Sequence, residues 1–517
     1  MIAYFDQLRP NSLDVHWQVL TLPFLADMLR KDYLESLSLD VCCIEDVTHS
    51  AARISELAEG NSESGLKELT LRRLNFQDEE PWKDVLPKLG EIRLPHLQSL
   101  TLIECQYPEL LVSAFASSPH LRTLKVIGSE VYGRQRLFDA IAQTHITELE
   151  IDSPTGLAGG AGDRQNAQGV RALAKVTGLK SLTISNCSGL RDEDLAALAD
   201  LAHLRELHLS RCDSGIRGVF LSNLSAPSQL SALTLNHCTN LDLKNLSGLH
   251  ELKRLNLTEI QGAKHQLDFM ESLHRLEELT LSLKGQRFLE SNARSLVRAS
   301  DGGSLRVLDT SGMQMASDLT AEALSRLRGV HDFSADCTKL SEVGVSALLA
   351  LPNLTSLSLA NVSALSRASL EMCASKRSVE SLTLIGATAL EGLGSLKDWQ
   401  SLRRLRLVGS SMGSELLERI GSLHQLEIVE FDTRQLTSEH DLSPLSRMKG
   451  LKGVVLHAYG EFEQTGILSL AAALDLRFIE LHLHRYEFRD WETLTHMRRA
   501  LPDCRIEVFE AEGFRLN

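Results

Sequence analysis

Three histidines near the C-terminal end, His457, His482 and His484, have a type and spacing that could bring imidazoles to one divalent metal ion, with Glu480 or Glu507 as a fourth ligand. The competing reading is a polar rim or a pH-sensitive contact. Nine cysteines raise the question of thiol chemistry. No Cys-x-x-Cys is present, and Cys42 with Cys43 is the only local pair. Five of the nine (Cys42, Cys105, Cys187, Cys212 and Cys238) stand eight residues after a leucine that opens a repeated pattern. A small, buried, reduced thiol suits such a position, and reduced thiols point to a cytosolic compartment. The glycines of GLAGGAGD (Gly156 to Asp163) follow a strand pattern, but no GxGxxG, GxxxxGK[ST] or HExxH is present, so neither a phosphate loop nor a zinc-protease helix is indicated. No catalytic residues, cofactor or metal site are assigned, and the chain is expected not to be an enzyme.

Carboxylates give a different kind of chemistry. Glu148, Glu150 and Asp152 form one acidic island, and Asp309, Asp332 and Asp336 form another. A protein partner with a basic surface is the simplest ligand for either. Arg404 and Arg406 alternate in the same way further along and complete the candidate protein-binding set. Three opposite-charge pairs are expected on neighbouring strands: Lys125 with Glu150, Arg254 with Glu278, and Arg406 with Glu430.

The elements that position these residues come from a repeat. The pattern Leu-x-x-Leu-x-Leu-x-x-Cys reads LESLSLDVC from Leu34, LQSLTLIEC from Leu97, LKSLTISNC from Leu179, LRELHLSRC from Leu204 and LSALTLNHC from Leu230. About 19 copies follow, the last a half-repeat from Asp503, at a mean period of about 26 residues between Leu34 and an opener placed at Phe478. Apolar side chains three and five residues after the opener share one face of a short strand, so residues two, four and six after it face the other way. Between strands, RDEDLAALADLAHL (Arg191 to Leu204) and SEVGVSALLALPNL (Ser341 to Leu354) read as amphipathic helices with acids in the first turn. Stacked units of this kind predict an α/β solenoid with a concave parallel sheet and convex helices, curved because helices need more width than strands.

Three segments are expected: an N-terminal helical cap over 1–33, the array over 34–484, and a C-terminal cap with the final half-repeat over 485–517. A glycine-rich insert, 152–170, lies in the longest interval, from Ile146 to Leu179, beside the first acidic island. The formal net charge of −14 argues against nucleic acid or an anionic membrane as partner. The first residues lack a basic region followed by an apolar stretch, so no signal peptide is expected.

The repeat resembles the cysteine-containing class of leucine-rich repeats, familiar from F-box substrate receptors of ubiquitin ligases and from bacterial proteins. GVRALAKVTGLKSLTI (from Gly169) and GVSALLALPNLTSLSL (from Gly344) resemble the Gly-Ala-Leu-Ala repeats of plant-pathogen effectors. The ending RRALPDCRIEVF is similar to the closing half-repeat of bacterial leucine-rich-repeat proteins. The resemblance implies a horseshoe-shaped scaffold that binds a protein on its concave face, in the cytoplasm or, for an effector, in a host cytosol. The alternative it implies is a ubiquitin-ligase substrate receptor with a degenerate F-box-like N-terminus.

Overall fold

The computed structural model describes residues 6–45, 54–56, 64–74, 86–129, 134–152, 170–186, 190–211, 216–224, 229–263, 267–300, 303–362, 365–373, 375, 377–387, 391–409, 414–433, 441–458, 464–483, 491–510 and 515–516. The chain divides into two compact units, Met1–Leu273 and His274–Asn517.

In the first unit the repeat produces ten strands among the described residues: β1 (Ser12–Thr21), β2 (Ser36–Glu45), β3 (Glu68–Arg72), β4 (Ser99–Ile103), β5 (Thr123–Ile127), β6 (Glu148–Asp152), β7 (Ser181–Ser185), β8 (Glu206–Ser210), β9 (Ala232–Asn236) and β10 (Arg254–Gln261). Each pairs in parallel with the one before, in strict register. The second unit contains β11 (Glu278–Lys284), β12 (Arg287–Phe288), β13 (Val307–Met315), β14 (Asp332–Asp336), β15 (Ser356–Ala360), β16 (Ser381–Ile385), β17 (Arg404–Val408), β18 (Ile428–Thr433), β19 (Gly453–Ala458), β20 (Phe478–Leu483), β21 (Arg505–Glu510) and β22 (Arg515–Leu516). Here β11 and β12 both pair with β13, the parallel series continues to β21, and β22 closes against β21 in the antiparallel sense.

The alternation expected from sequence is realised side chain by side chain. Leu100 and Leu102, then Leu124 and Val126, are fully buried, while their odd-numbered or even-numbered neighbours face solvent. Each such buried side chain contributes about 1.5–3 kcal/mol. The residue seven after the opener, just past the strand, often has a left-handed backbone: Glu104, Gly128, Asn361 and Gly386 have φ of 53°, 64°, 56° and 61°. This turns the amide back onto the sheet. Gly128 N–H donates to the Asp152 carbonyl at 2.8 Å, and Gly386 N–H to that of Val408 at 2.7 Å, so one more rung joins each pair of repeats. Glycine and asparagine tolerate this conformation at least cost.

Short helices and 3-10 turns cover the opposite face. Glu342–Leu349 is the expected helix, with Ser341 Oγ accepting the Val343 amide at its start. The segment from Arg191 differs: one α-turn, Asp192–Leu195, passes into a 3-10 helix, Ala196–Asp200. Its apolar residues, Leu195, Leu198, Leu201 and Leu204, recur every third residue, which is the 3-10 period rather than the α period. Asp192 explains how neighbouring turns lock together, since its carboxylate accepts the amides of Arg217 and Phe220 in the next repeat.

Two expectations need correction. The segment 1–33 is not wholly helical: β1 adds a strand ahead of β2, and Leu22–Leu29 is a helix that follows it. Leu13, Val15, Trp17 and Val19 alternate with a period of two, the strand period. The opener placed at Phe478 is displaced by two residues. Phe478 pairs with Gly453 on one side and Arg505 on the other, so the repeat opens at Leu476, and Phe478 lies on the open face. Because the slip is even, the buried face is unchanged, but every lateral neighbour changes.

Cys105, Cys238, Cys337, Cys373 and Cys504 are buried. Cys187, Cys212 and the side chains of Cys42 and Cys43 lie outside the described residues, as does most of the glycine-rich insert. Burial pushes the Cys105 thiol up to about 11 and the Cys337 thiol up to about 12. These two thiols should therefore react with a maleimide at neutral pH only on the timescale of unfolding, and become fast in denaturant; rapid labelling of either in the native protein would show the strand ends to be open. Gly329 is a second test. A Cβ there would strike the carbonyl oxygens of Gly303 and Leu305, which are backbone and cannot swing away. Gly329→Ala should destabilise by about 1–3 kcal/mol, read as a lower urea midpoint.

Candidate protein-binding face

The strict register turns the outward positions into columns that run across the strands on the sheet's open face. The first acidic island lies on that face of the first unit, the second island and both arginines on that of the second, and their surroundings differ. On β6, Glu150 forms an ion pair with Lys125 at 2.8 Å, as expected from the sequence. Glu148 accepts the Thr123 hydroxyl at 3.1 Å, and Asp152 accepts the side-chain amide of Asn186. Each acid of the first island is thus engaged by a neighbour, one of them by an opposite charge. Arg254 reaches Glu206 on β8 at 2.6 Å. The strand between them contributes Ala232 at that level, so nothing bulky blocks the span.

The second island keeps its charge. Asp309 takes the Ser311 amide at 2.9 Å and the Ser311 hydroxyl at 2.6 Å, where β13 bulges between Thr310 and Gln314. Asp336 accepts the Thr338 amide at 2.9 Å in the same manner. No cation lies within ion-pair distance of Asp309, Asp332 or Asp336 among the described residues. Asp332 sits one strand from Asp309 and two residues out of line with it. Burial, and then the Asp309 charge, raise its carboxyl above the ordinary range, with the Ser356 hydroxyl opposing.

At the far end, Arg404 is exposed, and its side chain makes no hydrogen bond or close ion pair among the described residues. Arg406 Nε lies 2.8 Å from Glu430 but off the line of its N–H, so the contact is an ion pair rather than an aligned hydrogen bond. Glu430 also faces His457 Nε2 at 3.2 Å. That bond, followed by the two arginines, holds the Glu430 carboxyl below its usual range.

The histidines are arranged differently from the metal set considered above. His457 pairs laterally with His482, not with His484, which lies outside the described residues. Their rings stack at 4.4 Å, and His482 stacks in turn on Phe509 at 4.5 Å. Parallel stacking keeps the ring nitrogens from converging: His457 faces Glu430, and His482 faces Glu480 at 3.5 Å. No group of three metal-ligating side chains comes together among the described residues.

One polar cluster was not foreseen. Asp40, with a side chain 9% exposed, is clamped by Arg73 at 2.6 and 2.7 Å and by His16 at 3.1 Å, tying β1 to β2 and β3. The Arg73 guanidinium is the main reason the Asp40 carboxyl sits low. The signal was hidden because Arg73 occupies the left-handed position after its strand, whose direction the repeat pattern does not reveal.

Asp332 gives a test with a definite sign. Its folded carboxyl binds a proton more readily than the unfolded one, so its ionisation costs stability as pH rises through the folded value. Asp332→Asn should raise Tm at neutral pH by about 1–3 °C. The gain should vanish below the ordinary carboxylate range, where both forms are neutral. A lower Tm at neutral pH would mean that the ionised group is held by a partner and not merely tolerated.

No family model matches the chain, and no curated protein matches it. Among solved structures it is similar to an internalin from Listeria monocytogenes, at 16% identity over 76% of this chain and 86% of that one, with a TM-score of 0.37. It is also similar to a leucine-rich-repeat protein from Leptospira interrogans, at 15% identity over 94% and 99%, with a TM-score of 0.38. A third likeness is a plant peptide hormone receptor, RGFR1, solved in complex with RGF2, at 14% identity over 97% and 81%, with a TM-score of 0.35. The register and the repeat period carry the assignment by themselves: each unit is an α/β leucine-rich-repeat solenoid with a parallel sheet.

Proposed function

We propose that the protein is a non-enzymatic recognition scaffold that binds a protein partner on the open face of the sheet, and that the second unit supplies the main contact. The observation that carries this is the unequal use of charge. The first island is occupied by neighbours, whereas Asp309, Asp332 and Asp336 have no cation beside them among the described residues. Keeping like charges close together and partly buried works against folding, and such strain is commonly retained for binding. A partner that brings a cation relieves it. The buried, reduced thiols suit a cytosolic setting.

The priority between the islands is testable once a partner is in hand from affinity capture. Asp309→Lys combined with Asp332→Lys should weaken binding by at least about tenfold, measured by titration calorimetry with circular dichroism as the fold control. Glu148→Lys combined with Glu150→Lys should weaken it less. Equal or reversed effects would move the contact to the first unit.

A further inference from the structure

Two acids of the second island and the two arginines belong to the same columns, as their equal distances from the repeat openers imply and the register bears out. One column runs Asp332, Ser356, Ser381, Arg404, on β14 to β17. The next runs Asp309, Ser334, Ser358, Thr383, Arg406, on β13 to β17. Over these strands both run from a carboxylate across hydroxyls alone to a guanidinium, and on β18 they continue with Ile428 and Glu430. A third column beside them reads Asp336, Ala360, Ile385, Val408, an acid followed by small or aliphatic side chains. Between β13 and β17 charge is therefore sorted by sign along the stacking direction, with a neutral hydrogen-bonding floor between the poles and an apolar strip at one side, and the acids Glu430 and Asp432 lie beyond the arginines on β18.

The spacing sets the size of the occupant. Parallel strands lie about 4.8 Å apart, so Asp332 and Arg404 are about 14 Å apart, and Asp309 and Arg406 about 19 Å. An extended chain advances about 3.3 Å per residue, so about four to six residues span the poles. A folded, uniformly basic or uniformly acidic surface would match only one of them. Serine and threonine hydroxyls both donate and accept, so they can serve the amides and carbonyls of a main chain lying across the strands.

We propose that this face binds an extended peptide segment of a protein partner, with a cationic group over Asp309 and Asp332 and a carboxylate over Arg404 four to six residues away. This rests on the reading of the second unit's open face as the recognition surface, and adds to it the form and charge order of the ligand. Arg404 is the anchor for the carboxylate, since Arg406 already faces Glu430. Aliphatic side chains of the segment would lie along Ala360, Ile385 and Val408.

The test uses the full chain and a random twelve-residue peptide library displayed on phage. Selected peptides should carry Lys or Arg and Asp or Glu at a separation of four to six residues. In fluorescence polarisation, Arg404→Ala and Asp332→Ala should each weaken a selected peptide about three- to tenfold. Replacing the peptide's carboxylate by an amide should weaken binding to the native chain yet make no difference in the Arg404→Ala variant, and the cation should couple to Asp332 in the same way. Peptides of one sign only, no preferred separation, no enrichment, or binding indifferent to both substitutions would overturn the proposal. A captured protein that binds this face but ignores Arg404→Ala would overturn it too, while leaving the broader recognition reading intact. Self-association of the chain abolished by the same substitutions would identify a second copy as the occupant and likewise overturn it.

Discussion

The lateral register of parallel strands is the constraint on which the rest depends. Each repeat must bury the residues three and five after its opener, because a single unit cannot cover its own apolar face. Once those two are committed, a one-residue slip would expose both, so the neighbouring strand has only one satisfactory alignment. The outward residues inherit that alignment at no further cost. Columns such as Asp332, Ser356, Ser381 and Arg404 are consequences of core packing, and their content is free to vary because the core does not use them. The left-handed turn after the strand reinforces the arrangement by carrying the hydrogen-bond ladder one rung beyond it, as at Gly128 and Gly386.

Much of this was legible in the residues. The openers from Leu34 to Leu451 all mark strands that begin two residues later, because Leu-x-x-Leu-x-Leu combines a strand period with a fixed distance to the next copy. The departures come where that signal is ambiguous. At the last full repeat, Leu476 and Phe478 are both apolar and two residues apart, so the pattern fits either one; only the pairing of Gly453 with Phe478 decides. At the N-terminus, Leu13 to Val19 alternates like a strand but lacks the repeat's opening leucine. In the connecting segments, leucines at every third residue were read as an α-helix where they make a 3-10 turn.

The candidate site was legible as a set of residues in columns but not as a set of side-chain contacts. Which residues face outward follows from parity, so both islands and both arginines were placed on the correct face. Who neutralises whom does not follow from parity, since long side chains reach past a small neighbour, as Arg254 does over Ala232 to Glu206. Asp309 and Arg406 each stand four residues after an opener, and Asp332 and Arg404 two, so their shared columns follow from the repeat although loops of unequal length separate the strands. Those loops decide chain distance; the register decides spatial distance.

Recognition on this face requires a partner to occupy the hydroxyl floor between the poles. A photo-crosslinking side chain in place of Ser358, at the middle of that floor, reports this directly, with the same group in place of exposed Val343 on the helical face as comparison. Adducts with the bound partner from position 358 and none from position 343 are the predicted result. Adducts from 343 alone would place recognition on the helices and contradict the account.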